Sequence, residues 1–473
     1  MLKTRWLAVA LCAASVAGAC GGGGSSDSKS SSDTKGGGAD ASDCPVDALA
    51  TATAPVEITM WYAISNKLED ELKKLAEAYN ASQSKVKVNL VYQGSYDDAI
   101  DKYLAALRSK TKLPQVVQLE ETQTQVGIDS QSFVPISACI KADNYDTSDY
   151  LDRVISYFTF DGVQVAMPFN TSNPVLYYNK AMFTQAGLDP EKPPTTLEEV
   201  RTASEKIVAS GAAKHGISIE FQPWYIEQML AKEGLEAVNN DNGRSERATE
   251  ARFDQPEVAE IFQWLQDMTK DDLALSVGLN PQGIDHFLAV ASKDAAMTIG
   301  TSAALGTVKQ VIAAGQVTGV EVGVAPMPGL SNDPTKGGVM VGGAELWITK
   351  SSSDEQIAAA WDFLKFLDSP ESQAQWHLGT GYVPIRKSAI EAADVKAKWA
   401  AEPEYSVAFK QLDSGVTNVG SSGIVMGPYN KVRDLLETAM GNVIDGKDVA
   451  AEMEKLQTEA TAVLQDYAQR TGG

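Results

Sequence analysis

A chain of 473 residues is long enough for about two to three domains, and a hydrophobic share of 44% with a charged share of 22% is ordinary for a globular protein. The formal net charge of −22 argues against nucleic acid or an anionic membrane surface as a partner; a small anion is not excluded, because one recessed arginine can set the potential inside a cleft. Three histidines, His215, His286 and His377, are too few and too scattered for a zinc site, and no metal or cofactor is expected.

The first residues read as an address. Lys3 and Arg5 form a short basic region, Trp6 to Ala14 an apolar core, and Val16-Ala-Gly-Ala-Cys20 a run of small residues before a cysteine. This is a secretory signal over residues 1–19, with an apolar run too short to span a bilayer. It resembles a bacterial lipoprotein signal, in which Cys20 becomes the lipidated first residue; Ala17 stands where such signals usually carry leucine, and a plain secretory signal is the alternative. Residues 20–43 are Gly, Ser, Asp, Lys and Thr with almost nothing apolar, a composition that cannot bury enough surface to fold. As a flexible tether of about 23 residues it would reach about 25 Å from a membrane anchor.

Cys12 leaves with the leader and lipidation would use Cys20, so Cys44 and Cys139 remain. An even pair in an exported protein suggests a disulfide, with two buried free thiols as the alternative. Closing a loop of about 95 residues would contribute about 4 kcal/mol at most.

Val56 to Ala63 alternates as a strand, and Lys67 to Tyr79 places Leu68, Leu72, Leu75, Ala76 and Tyr79 on one helical face. Val86 to Tyr92 alternates again, Asp97 to Leu107 is helical, and Val116 to Leu119 reads as a short buried strand. Strand, helix, strand, helix, strand is the pattern of a parallel sheet with crossover helices, whose ligands bind beyond the carboxyl ends of the strands. Those ends are polar turns at Ala63-Ile-Ser-Asn66, Gln93-Gly-Ser-Tyr96 and Glu120-Glu-Thr-Gln123.

Met167-Pro-Phe-Asn-Thr-Ser-Asn-Pro-Val-Leu-Tyr-Tyr-Asn-Lys180 is held extended by its two prolines, and its apolar end reads as a buried strand. It suits either a segment crossing between two lobes or a proline-bounded loop entering a core strand. Thr196 with Glu199 is a capping box for a helix to about Ser210; Pro223 opens another helix, and Pro256 to Lys270 forms a third. Ala295 to Ser302 is strand-like and ends in hydroxyl residues, a second candidate crossing. Val320 to Ala325 and Ala344 to Thr349 are short strands, and helices dominate from there to a last one at Val449 to Ala468. The expected fold class is α/β: two lobes with discontinuous domains, 56–170 plus 300–349 in one and 171–299 plus 350–470 in the other.

Taken together, Pro168 to Lys180, Gly187-Leu-Asp-Pro-Glu-Lys-Pro-Pro-Thr-Thr196, Gly342-Gly-Ala-Glu-Leu-Trp347 and Gln375-Trp-His-Leu-Gly-Thr-Gly-Tyr-Val-Pro-Ile385 resemble the solute-binding proteins of ABC importers. More narrowly they resemble the sn-glycerol-3-phosphate-binding component and its glycerophosphodiester-binding relatives. The resemblance implies a two-lobed periplasmic-binding fold with the ligand trapped between the lobes. It also implies a site. Arg433 stands at the family's phosphate-binding arginine, and its planar fork suits phosphate oxygens. Tyr382, Ser172, the backbone N–H of Gly343 and the hydroxyl of Thr301 match further donors; Thr301 replaces a more usual serine. Tyr96 and Glu121 match the residues that grip the glycerol end, and Trp224 matches a ring packed on the carbon skeleton. Phe221 stands where the family usually has a second tryptophan, which changes pocket shape and admits a diester head group such as choline, a cation that Glu121, Trp224 or Tyr96 could hold.

The function expected from these residues is a lipid-anchored, monomeric receptor on the extracytoplasmic face of the bacterial cell membrane. It would close on glycerol 3-phosphate or a glycerophosphodiester such as glycerophosphocholine, with hinges near Pro168 to Asn173 and Ile299 to Thr301, and deliver it to an ABC permease. The alternative is a neutral-oligosaccharide receptor of the maltose or trehalose type, which would need stacked aromatic platforms and no Arg433; aromatic content is 7%. An enzyme is not expected, for no nucleophile elbow, metal motif or P-loop is present.

Overall fold

A computed structural model describes residues 39–472 of the chain, except 281 and 282. The signal segment 1–19 and Cys20 lie outside the described residues, as does the expected tether up to residue 38. The tether's last residues differ from expectation: Ala41–Asp43 forms one turn of 3-10 helix, capped by Asp40, whose carboxylate accepts from the Ser42 N–H at 3.0 Å. The cause is next door, where Cys44 is bonded to Cys139 with the two Cα atoms 4.9 Å apart, pinning this end against the helix Ile136–Asp143.

Lobe 1 is built on β1 (Val56–Tyr62), β2 (Val86–Tyr92) and β3 (Val116–Glu120), which run parallel. The crossover helices Asn66–Ser82 and Tyr96–Ser109 bury the expected stripe, including Leu72, Leu75, Ala76 and Tyr79. The second helix starts at Ser95, whose hydroxyl accepts from the Asp98 N–H while the Asp98 carboxylate accepts from the Ser95 N–H. β4 (Phe133–Val134), the hairpin β5 (Thr159–Phe160) and β6 (Val163–Gln164), and β7 (Met167–Ser172) follow.

Lobe 2 carries β8 (Pro174–Asn179), β9 (His215–Glu220), β10 (Ala274–Gly278), β11 (Ala295–Thr301) and β12 (Val322–Pro326) in the order β10-β9-β11-β8-β12. β13 (Gly342–Thr349) returns to lobe 1, completing the order β2-β1-β3-β13-β4 and pairing antiparallel with β7. Each sheet is therefore mixed. The expected segment Met167 to Lys180 is a crossing: β7 lies in one sheet, β8 in the other, and Asn173 is the residue between them. Asn173 is fully buried and held from lobe 1, its amide donating to the Ala408 carbonyl and accepting from Gln411, both at 2.9 Å. The second crossing follows β11, and the Ser302 N–H donates to the Asn173 carbonyl at 3.0 Å, tying the two crossings together.

The lobe boundaries differ from those expected. β12 belongs to the lobe 2 sheet, whereas the helices Asp354–Leu367 and Pro370–Thr380 pack on lobe 1, with Trp361, Phe363, Leu364 and Trp376 in its core and the Phe363 ring 5.0 Å from that of Tyr79. Lobe 2 regains the chain near Ile424 and is closed by the helices Tyr429–Ile444 and Val449–Thr471. Helical periodicity marks which face of Asp354–Leu367 is apolar but not which sheet covers it.

Candidate functional site

The carboxyl ends of β3 and β7 and the start of the helix Tyr96–Ser109 meet around Asn170. This side chain is fully buried and all its polar atoms are used. Its carbonyl accepts from Gln118 at 2.8 Å; its amide donates to the Tyr96 hydroxyl at 3.1 Å and to the Tyr382 hydroxyl at 3.0 Å. One asparagine thus holds two of the expected site residues side by side. The Tyr382 ring is stacked on Trp376, centroids 5.4 Å apart, and burial raises its hydroxyl to about 12, so it is a neutral donor.

Behind Asn170 runs Gly343, at φ +105°, a conformation open to glycine. A Cβ there would lie 1.9 Å from the Asn170 backbone carbonyl oxygen. Its neighbour Gly342 faces the Trp224 indole, which leaves no room for a side chain: a Cβ would come within 2.4 Å of the ring. Trp224 stands in the first turn of the lobe 2 helix Pro223–Lys232, so this contact joins the lobes directly. Ser172, paired in register with Gly342, is buried beside it.

Arg433 projects from the lobe 2 helix Tyr429–Ile444 over the ring of Tyr429, 4.8 Å from its centroid. Glu227, one turn beyond Trp224, takes one edge of the guanidinium: Nη2 donates to Oε2 at 2.7 Å and Nε to Oε1 at 3.2 Å. Across the cleft, Glu120 of lobe 1 stands 3.9 Å from Nη1. Burial works against the Arg433 charge, and Glu227 outweighs it, holding the guanidinium above its ordinary range. Glu121 is buried, and its Oε2 has no hydrogen-bond partner. Burial, then the neighbouring Glu120 carboxylate, pushes its pKa well above the usual range; Glu120 is raised as well, chiefly by burial. A cleft of this make-up offers neutral hydroxyl donors, aromatic faces, one arginine and an excess of carboxylates.

Tyr96, Tyr382, Gly343, Ser172 and Trp224 are brought together, and Arg433 and Glu121 face each other's charge across the cleft. Of the two other expected residues, Thr301 pairs in register with Pro174, two residues beyond Ser172, and Phe221 stands apart. The Thr301 hydroxyl accepts from the Ala303 N–H at 3.3 Å, capping the turn that ends β11. Phe221 lies over Gly441, where a Cβ would touch its ring at 2.9 Å, eight residues and so about 12 Å along the helix from Arg433. Asn170, Glu120, Glu227 and Tyr429 were not singled out from the sequence. Asn170 sits inside the proline-bounded segment Met167 to Lys180 and Glu120 in the polar turn Glu120 to Gln123; Glu227 carries no signal beyond its place one turn after Trp224.

Residues 74–403 match the family described as bacterial extracellular solute-binding protein. The chain is 30% identical over 406 residues to the sn-glycerol-3-phosphate-binding periplasmic protein UgpB of Yersinia pseudotuberculosis, covering 84% of this chain and 90% of that one. It is 29% identical over 405 residues to the protein of the same description from Salmonella typhimurium, covering 85% and 89%. Among solved structures it superimposes on UgpB from Mycobacterium tuberculosis in complex with glycerophosphocholine, with a TM-score of 0.73, 22% identity, and coverage of 88% and 100%. The GacH receptor of Streptomyces glaucescens, solved unliganded and with acarbose, superimposes with a TM-score of 0.72 at 21% identity, covering 87% and 99%. At these identities the two structures speak to the fold.

Proposed function

The chain belongs to the bacterial extracellular solute-binding proteins, and from that premise we propose that it captures glycerol 3-phosphate or a glycerophosphodiester such as glycerophosphocholine for an ABC importer. The observation that carries the reading is the place of Arg433: a half-buried guanidinium on lobe 2 with Glu120 of lobe 1 only 3.9 Å away, in a cleft whose lobe 1 wall presents two neutral tyrosine hydroxyls. A phosphate there would meet the free edge of the guanidinium, and glycerol hydroxyls would meet Glu121. Both lobes contribute, so binding and closure are one event. The crossing at Asn173 and the end of β11 are the proposed hinges. Cys20 is the proposed lipid anchor, checked by the mass of the N-terminal peptide and by release of Cys20→Ala from membranes.

Thermal shift of the full chain with glycerol 3-phosphate, glycerophosphocholine, maltose and trehalose tests the ligand. A ligand at a hundred times its dissociation constant adds about 2.7 kcal/mol of stability. Stabilisation by the phosphates alone supports the reading. Arg433→Ala should then cost at least a hundredfold in phosphate-ligand affinity, about 2.7 kcal/mol or more. Stabilisation by the sugars alone sinks the phosphate assignment, as does an unchanged affinity in Arg433→Ala.

A further inference from the structure

We infer that Glu227 determines which phosphates this cleft accepts, selecting against monoesters and in favour of a phosphodiester that carries its own cation, an inference that rests on the proposed function. The geometry is specific. Glu227 occupies Nε and Nη2 of Arg433 with both carboxylate oxygens, the same two-pronged contact a phosphate would make, and it is only 1% exposed. The positive charge of Arg433 is thus matched inside the protein before any ligand arrives, and the donors left to a ligand lie on the Nη1 side, where Glu120 already stands.

Charge counting follows. Near neutral pH a phosphate monoester carries about −1.5 to −2, its second pKa lying near 6, while a diester carries a single charge. Placed at Arg433, a monoester brings its surplus charge next to Glu120 and Glu227 with no second cation to meet it, since Arg433 is the one arginine or lysine within 4 Å of these carboxylates among the described residues. A diester ending in a quaternary ammonium is neutral overall. Its cation offsets the surplus of carboxylates that Glu120 and Glu227 leave around the single Arg433. Quaternary ammonium groups also favour aromatic faces; Trp224 is half-buried in the first turn of its helix and offers one, whereas Tyr429 and Tyr157 already lie under Arg433 and Arg244. The excess of carboxylates over arginine accounts for attraction of the cation; Glu227 accounts for rejection of the dianion.

The test is calorimetric titration of wild type, Glu227→Gln and Glu227→Asp with glycerol 3-phosphate, glycerophosphocholine and glycerophosphoglycerol, a diester without a cation. Wild type should prefer glycerophosphocholine, with glycerophosphoglycerol intermediate. Glu227→Gln, which keeps the shape and can still bond Arg433, should bind glycerol 3-phosphate at least tenfold more tightly and move glycerophosphocholine by threefold or less. Glu227→Asp keeps the charge and should keep the wild-type order. Equal shifts for all three ligands in Glu227→Gln, or no shift, overturn the inference while leaving the phosphate reading intact. If wild type binds none of the three and binds a sugar instead, the proposed function fails and the inference falls with it. Should Glu227→Gln not fold, loss of the wild-type order in a folded Glu227→Asp overturns the inference, and its retention supports it.

Discussion

Asp129 of lobe 1 and Arg247 of lobe 2 form a two-pronged ion pair across the cleft, Nη1 to Oδ2 at 2.6 Å and Nη2 to Oδ1 at 2.9 Å. The Tyr467 hydroxyl, also from lobe 2, donates to the same carboxylate at 2.8 Å, and the Arg247 guanidinium lies 5.7 Å from the centre of the Tyr467 ring. These contacts exist only while the lobes are together, so they bias the protein toward the shut form whichever ligand is inside. The side chains are 20% and 14% exposed, between the surface and buried limits, and loss of one partner should cost about 1–3 kcal/mol. Arg247→Ala should therefore weaken a trapped ligand by about tenfold, mostly through faster dissociation, and should enlarge the particle in small-angle X-ray scattering. An unaltered dissociation rate would remove this pair from any part in closure.

The Asn170–Gly343 contact links the site to the backbone. Gly343→Ala forces a side chain into a positive-φ position and against the Asn170 backbone carbonyl, which would lie 1.9 Å away. The expected cost is about 3 kcal/mol, well beyond conformational strain alone. Because Asn170 carries both Tyr96 and Tyr382, ligand affinity should fall along with stability. Gly187→Ala is the control: φ there is +72° with nothing near the added carbon, so it should cost about 1 kcal/mol and leave affinity alone. Denaturant melts and titrations of the two variants separate strain from crowding; equal effects would mean that Asn170 does not move.

Much of this arrangement was legible in the sequence, for identifiable reasons. Alternating and helical periodicities are local, and they placed β1, β2 and the helix Pro256–Lys270 with their observed bounds to within a residue or so. The prolines of Met167 to Lys180 marked a crossing because they restrict the backbone wherever it lies. The strands β9 and β10 were missed because His215-Gly-Ile-Ser-Ile-Glu220 and Ala274-Leu-Ser-Val-Gly278 each carry only two large apolar residues, interrupted by glycine and serine. The lobe membership of Asp354–Leu367 was missed because an apolar face does not name its partner. In the cleft, Arg433, Tyr96 and Tyr382 were expected from the resemblance, whereas Glu227 was not, since only the fold brings it 206 positions along the chain to Arg433. Charge pairing at such separations leaves no mark on composition or spacing.

Glu345 gives a pH signature that does not depend on the ligand. It sits on β13, fully buried, with Oε1 accepting from the Trp347 indole N–H at 3.0 Å and from Thr124 at 3.3 Å, and with Oε2 unpartnered. Burial raises its pKa from 4.5 to about 8. The folded protein therefore holds a proton that the unfolded chain releases above about pH 4.5. The stability this group contributes is fully present below that pH and is lost as pH rises through about 8. Wild type should thus lose melting temperature steadily between those limits. Glu345→Gln, which cannot release a proton, should lose less, so the two curves should diverge as pH rises, by a few kcal/mol at the alkaline end. Glu120 and Glu121 are raised in the same sense and titrate in both proteins; the Glu345 charge adds to the rise at Glu121, so its removal leaves only that smaller contribution in the difference. Parallel melting curves from pH 5 to 9 would show that Glu345 is already ionised in the fold, and that a buried donor, rather than a proton, satisfies it.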